Sequence, residues 1–137
     1  MAQKQHFSLR LPQHVLDRLE EQAAASGATK TALAERYVAE AVAVARHPGI
    51  IIRDGPAGRR AGVVGGPDVW EVIETFQDAG ADVAAAASYL DLPVGPVKIA
   101  IGYYADNRAE IDGWIARNGA VAEQAEAAWR RRQAVTG

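Results

Sequence analysis

The first residues of the chain alternate. In His6-Phe7-Ser8-Leu9-Arg10-Leu11 the apolar Phe7, Leu9 and Leu11 take one side of an extended chain, and His6, Ser8 and Arg10 take the other. That two-residue period predicts a half-buried strand. At Pro12 the period changes. Val15, Leu16, Leu19 and Ala23 recur three and four residues apart, which predicts a helix with Pro12 in its first turn and Gly27 as a left-handed C-cap. Thr29 or Thr31 can cap a second helix, striped by Leu33, Tyr37, Ala41 and Val44, widened by Val38 and Val42, and stopped at His47-Pro48-Gly49. One strand has nothing to pair with, and the stripes on both helices need covering, so residues 1–46 are expected to fold only as a dimer.

Between Pro48 and Gly66 six glycines punctuate two β-rich pieces, Ile50-Ile51-Ile52-Arg53 and Arg60 to Val64, which predict a hairpin. Pro67-Asp68 starts a helix bearing Val69, Trp70, Ile73 and Phe76, and Asp82 caps the next, through Val83, Ala87 and Leu90. After the tight Asp91-Leu92-Pro93 connection, Val97, Ala100, Ile101 and Tyr104 mark a further helix. A last helical region carries Ile111, Trp114 and Ile115, is expected to break at Asn118-Gly119, and resumes with Val121, Ala125 and Trp129 before Arg130-Arg131-Arg132. The fold class is therefore mainly α, with a strand and two helices over residues 1–46, a hairpin and helical domain over 47–118, and a helical tail over 119–137.

Composition narrows the class. The chain has 137 residues, 49% hydrophobic and 23% charged, as in ordinary globular proteins. Of its residues 29 are alanine, so the apolar fraction is thin and buries little area per residue, which again favours oligomerisation. Cysteine is absent, which excludes disulfides, thiolate metal sites and thiol nucleophiles. The polar start Met1 to His6 is unlike a signal peptide, and no run is long enough to span a bilayer, so a cytoplasmic, non-membrane protein is expected. The net charge is −2, but it divides unevenly: residues 1–60 hold nine Lys/Arg against six Asp/Glu, +3, and residues 61–137 hold six against eleven, −5.

No enzyme signature is present. His6, His14 and His47 are far apart and lack ligand spacing, so no metal and no cofactor is expected. The glycines from Gly55 to Gly66 follow neither phosphate-loop pattern and read as turn formers. His47 reads as a helix-ending residue. Trp70, Phe76, Tyr103 and Tyr104 are expected mainly in the core.

If two chains pair their strands antiparallel, Phe7, Leu9 and Leu11 seal the dimer, and His6, Ser8 and Arg10 of each chain form a two-fold polar ribbon that fits a DNA major groove. Alternation alone would favour the plainer reading, the solvent face of an amphipathic strand. The longer pattern is more specific: Phe7-Ser8-Leu9-Arg10-Leu11-Pro12, Val15-Leu16-Asp17-Arg18-Leu19, Gly27 and Thr29 to Thr31 resemble the ribbon-helix-helix family of bacterial DNA-binding proteins over about residues 5–46. The resemblance implies that His6, Ser8 and Arg10 read bases, with Arg10 able to donate two hydrogen bonds to guanine, and that Thr29, Lys30 and Thr31 hold a phosphate at a helix N-terminus.

Residues 47–118, through His47-Pro48-Gly49-Ile50-Ile51, the hairpin, Gly80 to Leu92 and Ile99 to Asp112, resemble a small domain of unknown function in VapB-type antitoxins, with a helix-turn-helix-like core. Its would-be recognition helix holds only Lys98, with Asp82, Asp91 and Asp106 around it, so it is expected to repel phosphate, its acidic faces serving solubility or a basic protein partner. The two resemblances together imply a homodimeric antitoxin, with dimers able to pair into a tetramer on DNA. It would bind double-stranded operator DNA to repress its own operon and block a PIN-like ribonuclease toxin; the C-terminal stripe, spaced for an amphipathic helix, either packs on its own domain or offers Trp114, Ile115, Trp129 and Arg130 as the partner contacts. The alternative is a stand-alone ribbon-helix-helix regulator whose second domain oligomerises or senses a ligand.

Overall fold

A computed structural model gives the fold and describes residues 3–136. Met1 and Ala2, which open the polar N-terminus, lie outside the described residues, as does Gly137 at the end of the tail. The chain divides into two compact units, Met1–Val42 and Ala43–Gly137.

Unit one holds α1 (Gln13–Ser26) and most of α2 (Lys30–Ala45). Gly27 closes α1 at φ 69° and ψ 16°, and its amide donates to the Ala23 carbonyl, the left-handed cap that glycine adopts without a Cβ penalty. Thr29, not Thr31, caps α2: its Oγ1 accepts from the Ala32 amide at 3.1 Å. Residues 3–11 are not in a strand. The physical reason is pairing, since a strand needs ladder bonds to a neighbour and unit one offers no second strand within one chain. In this unit α1 and α2 scarcely touch. Among the described residues only Ala23 and Leu33 are buried there, while Phe7 is 83% exposed, Leu9 66% and Val42 68%.

Unit two has a continuous core. β1 (Ile50–Arg53) and β2 (Arg60–Val63) pair antiparallel with Ile50 opposite Val63 and Arg53 opposite Arg60. Four helices follow: α3 (Val69–Asp78), α4 (Val83–Leu90), α5 (Val94–Asp106) and α6 (Arg108–Thr136). The α3 helix is central, packing on β2, α4, α5 and α6, and its Val69, Val72 and Ile73 are fully buried. Ile50, Ala61, Val63, Ala86, Ala87, Val97, Ala100, Tyr103 and Ile111 complete the core. Trp70, Phe76 and Tyr104 pack against it part-buried, and Tyr103 is wholly inside. Asp82 caps α4 by accepting from the Ala85 amide, and Asp91 ends it in the left-handed region, allowing the turn through Leu92-Pro93.

Two expectations for unit two are corrected. The break at Asn118-Gly119 does not occur, and α6 runs unbroken through both residues. One glycine costs a helix only about 1 kcal/mol, and the surrounding alanines, glutamates, glutamine and arginines outweigh it. His47 does more than end α2: its Nε2 donates to Asp106 Oδ2 at 2.8 Å, and its ring meets Tyr103 edge-on with centroids 5.4 Å apart.

Candidate functional site

In unit one the three ribbon candidates are exposed. His6 Nε2 and Ser8 Oγ are hydrogen-bonded at 2.8 Å, as side chains two apart on an extended chain can be. Among the described residues Arg10 makes no ion pair, so its five donors are open to a ligand.

At the start of α2, Thr29 uses its hydroxyl as the cap, and Lys30 Nζ sits 3.2 Å from Glu20 on α1. Thr31 is exposed beside them. An exposed pair of this kind is worth at most about 1 kcal/mol, so a phosphate can displace Glu20.

The charge division looks different at the structural boundary. Residues 1–42 hold five Lys/Arg and five Asp/Glu, a net of zero, because the excess up to residue 60 comes from Arg46, Arg53, Arg59 and Arg60 in unit two. What unit one has is a local separation. Lys4 and Arg10 precede α1, whereas Asp17, Glu20, Glu21, Glu35 and Glu40 all lie on the helices. Lys4 pairs with Glu35 at 3.0 Å.

Unit two contains an ionic network that nothing local in the sequence signals. Asp68, 5% exposed, occupies the N-cap of α3 but makes no side-chain cap bond. Its carboxylate instead accepts from Arg53 Nη2 at 3.0 Å, from Arg60 Nε, and from Trp70 Nε1 at 3.2 Å. Arg53 also donates to the Gly66 carbonyl at 2.9 Å. Two glycines make room for these arginines. A Cβ on Gly62 would clash with the Arg53 guanidinium, and one on Gly55 would clash with that of Arg60. The network ties the hairpin to the start of α3 and forms one wall of a groove of about 590 Å³, whose other wall is α6. Trp70, Glu71, Trp114, Arg117 and Val121 line it with the hairpin tip Pro56-Ala57. Arg117 lies over the Trp114 ring, 4.1 Å from its centroid. Burial is the main cause that raises the Glu71 carboxyl above its ordinary value, with Asp68 adding to the rise and Arg53 and Arg60 opposing it.

The four C-terminal candidates separate. Trp114 lines the groove, and Ile115 packs half-buried on the core. Trp129 is 55% exposed, and Arg130 is ion-paired to Glu126 at 2.6 Å, one helical turn away. Among the described residues no cluster of His, Asp and Glu is arranged to hold a metal, and no helix is long and apolar enough to cross a membrane. Compared with known proteins, the chain matches no family model, no curated protein and no solved structure.

Proposed function

We propose that the chain is a homodimeric, DNA-binding antitoxin: unit one pairs through residues 6–11 to form a ribbon that reads an operator and represses its own operon, and unit two binds a cognate ribonuclease toxin. The observation that carries the DNA-binding half is the missing core of unit one. Phe7, Leu9 and Leu11 alternate with His6, Ser8 and Arg10, yet in the single chain this apolar face and those of Val38 and Val42 meet water. A second copy covers that face and thereby sets the polar face outward as a paired ribbon. Arg10 and its two-fold mate then supply the base contacts, and the α2 N-terminus with Thr29, Lys30 and Thr31 takes a phosphate. Pairing of dimers extends the complex along the operator. In this reading the protein needs no cofactor and catalyses nothing.

Gel-shift titration on the DNA upstream of the chain's own gene, at several salt concentrations, tests the reading. Arg10→Ala should lose about 1–3 kcal/mol of operator affinity and leave the dimer folded. Unchanged affinity removes Arg10 from base reading, and a flat salt response removes the phosphate contact.

The groove of about 590 Å³ in unit two favours a second reading, a stand-alone regulator whose second unit senses a small molecule. Co-expression with the product of the adjacent gene separates the two. A complex that is lost on truncation before Trp114 supports the antitoxin. No complex and no toxic neighbour support the regulator.

A further inference from the structure

The α6 helix runs 29 residues, and its later half lies outside the core of unit two. At 100° per residue, Trp114, Val121, Ala125, Ala128 and Val135 fall within an arc of about 100°. This is one face along nearly the whole helix. It is open: Val121 is 63% exposed and Val135 87%. The groove under the hairpin tip lies on its first half, and Ala128, Arg131, Arg132 and Val135 continue the exposed face along its second.

Charge is distributed unequally around this helix. Arg132 sits in the middle of the apolar arc, and Arg117 and Arg131 flank it on one side. Between residues 113 and 136 the carboxylates are Glu123 and Glu126, and both fall at least about 100° away around the axis. Among the described residues none of the three arginines has an ion pair. Arg117 donates only to its own helix, at the Gly113 carbonyl.

We infer that this face docks an acidic amphipathic segment of a partner protein, with apolar side chains seated along Trp114, Val121, Ala128 and Val135 and Asp or Glu side chains opposite Arg117, Arg131 and Arg132. The inference deepens the antitoxin reading and rests on it for the claim that unit two has a protein partner. It also relocates the contact, because Arg130 points to the far side of the helix, where Glu126 holds it. A second copy does not fit, since a two-fold contact is self-complementary and would set these arginines against each other with no carboxylate between them. Nor does duplex DNA match an apolar stripe on a unit with ten basic and twelve acidic side chains.

The test is fluorescence anisotropy on the full chain with two labelled helical peptides, leucines at the core heptad positions of both, the remaining positions glutamate in one and lysine in the other. The glutamate probe should bind at least roughly tenfold tighter than the lysine probe, and R131E/R132E should lose roughly tenfold of that affinity while V121D weakens it independently. All three substituted positions are exposed, so the fold persists. Equal binding of the two probes, indifference to R131E/R132E, or displacement of the probe from α6 by duplex DNA each overturns the inference. A complex with the adjacent gene's product that survives R131E/R132E, yet is lost on truncation before Trp114, keeps the antitoxin and removes this face. Acidic-probe binding without any such complex does the reverse.

Discussion

Glu71, which feels the Asp68 charge, and Gly62, which faces Asp68 across an isolated β-bridge, are single positions at which local stability can be tested. The Glu71 carboxyl lines the groove with no hydrogen bond or ion pair among the described residues, and burial raises it above its ordinary 4.5. A carboxyl raised in the folded state binds its proton more tightly there than in the unfolded chain. Its contribution to stability is therefore present below 4.5 and is lost as pH rises through the raised value. Glu71→Gln should unfold at a higher temperature than the parent at pH 7, and the difference should vanish below about pH 4; a calorimetric pair of pH series checks this. Gly62→Ala should destabilise unit two by about 1–3 kcal/mol by expelling the Arg53 guanidinium from Asp68. With Arg53→Ala already present the same change should cost much less, because the three atoms nearest the new methyl all belong to the Arg53 side chain; urea unfolding of the double-mutant cycle reads the coupling.

At the scale of elements, what the sequence discloses is local. Gly27, Thr29 and Asp82 announce their caps because each acts within three or four residues of itself, and the β-rich pieces and turn glycines announce the hairpin. What it hides is long-range. His47 and Asp106 are 59 residues apart, and Asp68 reads as an ordinary N-cap although its carboxylate is turned to two arginines across the hairpin. The continuity of α6 is hidden for an energetic reason: Asn118-Gly119 resembles a stop, but its cost is small against the helix formers on either side. A methyl added at Gly119 would meet nothing within 4 Å, and the residue lies inside regular helix, so Gly119→Ala should stabilise α6 by about 0.5–1 kcal/mol in thermal unfolding. A loss of stability would mean that the helix needs a hinge there.

The molecule as a whole joins a unit with a core to one without. The alternation over residues 6–11 is plain in the sequence, but the strand it predicts does not form in the single chain, and the basic excess of the first sixty residues vanishes at the Val42 boundary. In unit two each contact depends on three-dimensional placement, as Ile115 on the core and Trp114 in the groove show. The bare apolar face of unit one carries a further consequence. If the first 42 residues fold only with a mate, as proposed, the protomer has no fixed stability, and its folded fraction follows its own concentration. On dilution, limited proteolysis should cut progressively within residues 3–42 and spare unit two, and a cleavage pattern indifferent to concentration would refute this. If unit one reads an operator as a dimer, as proposed, repression falls more steeply than chain number, and the protein acts as a gauge of its own abundance.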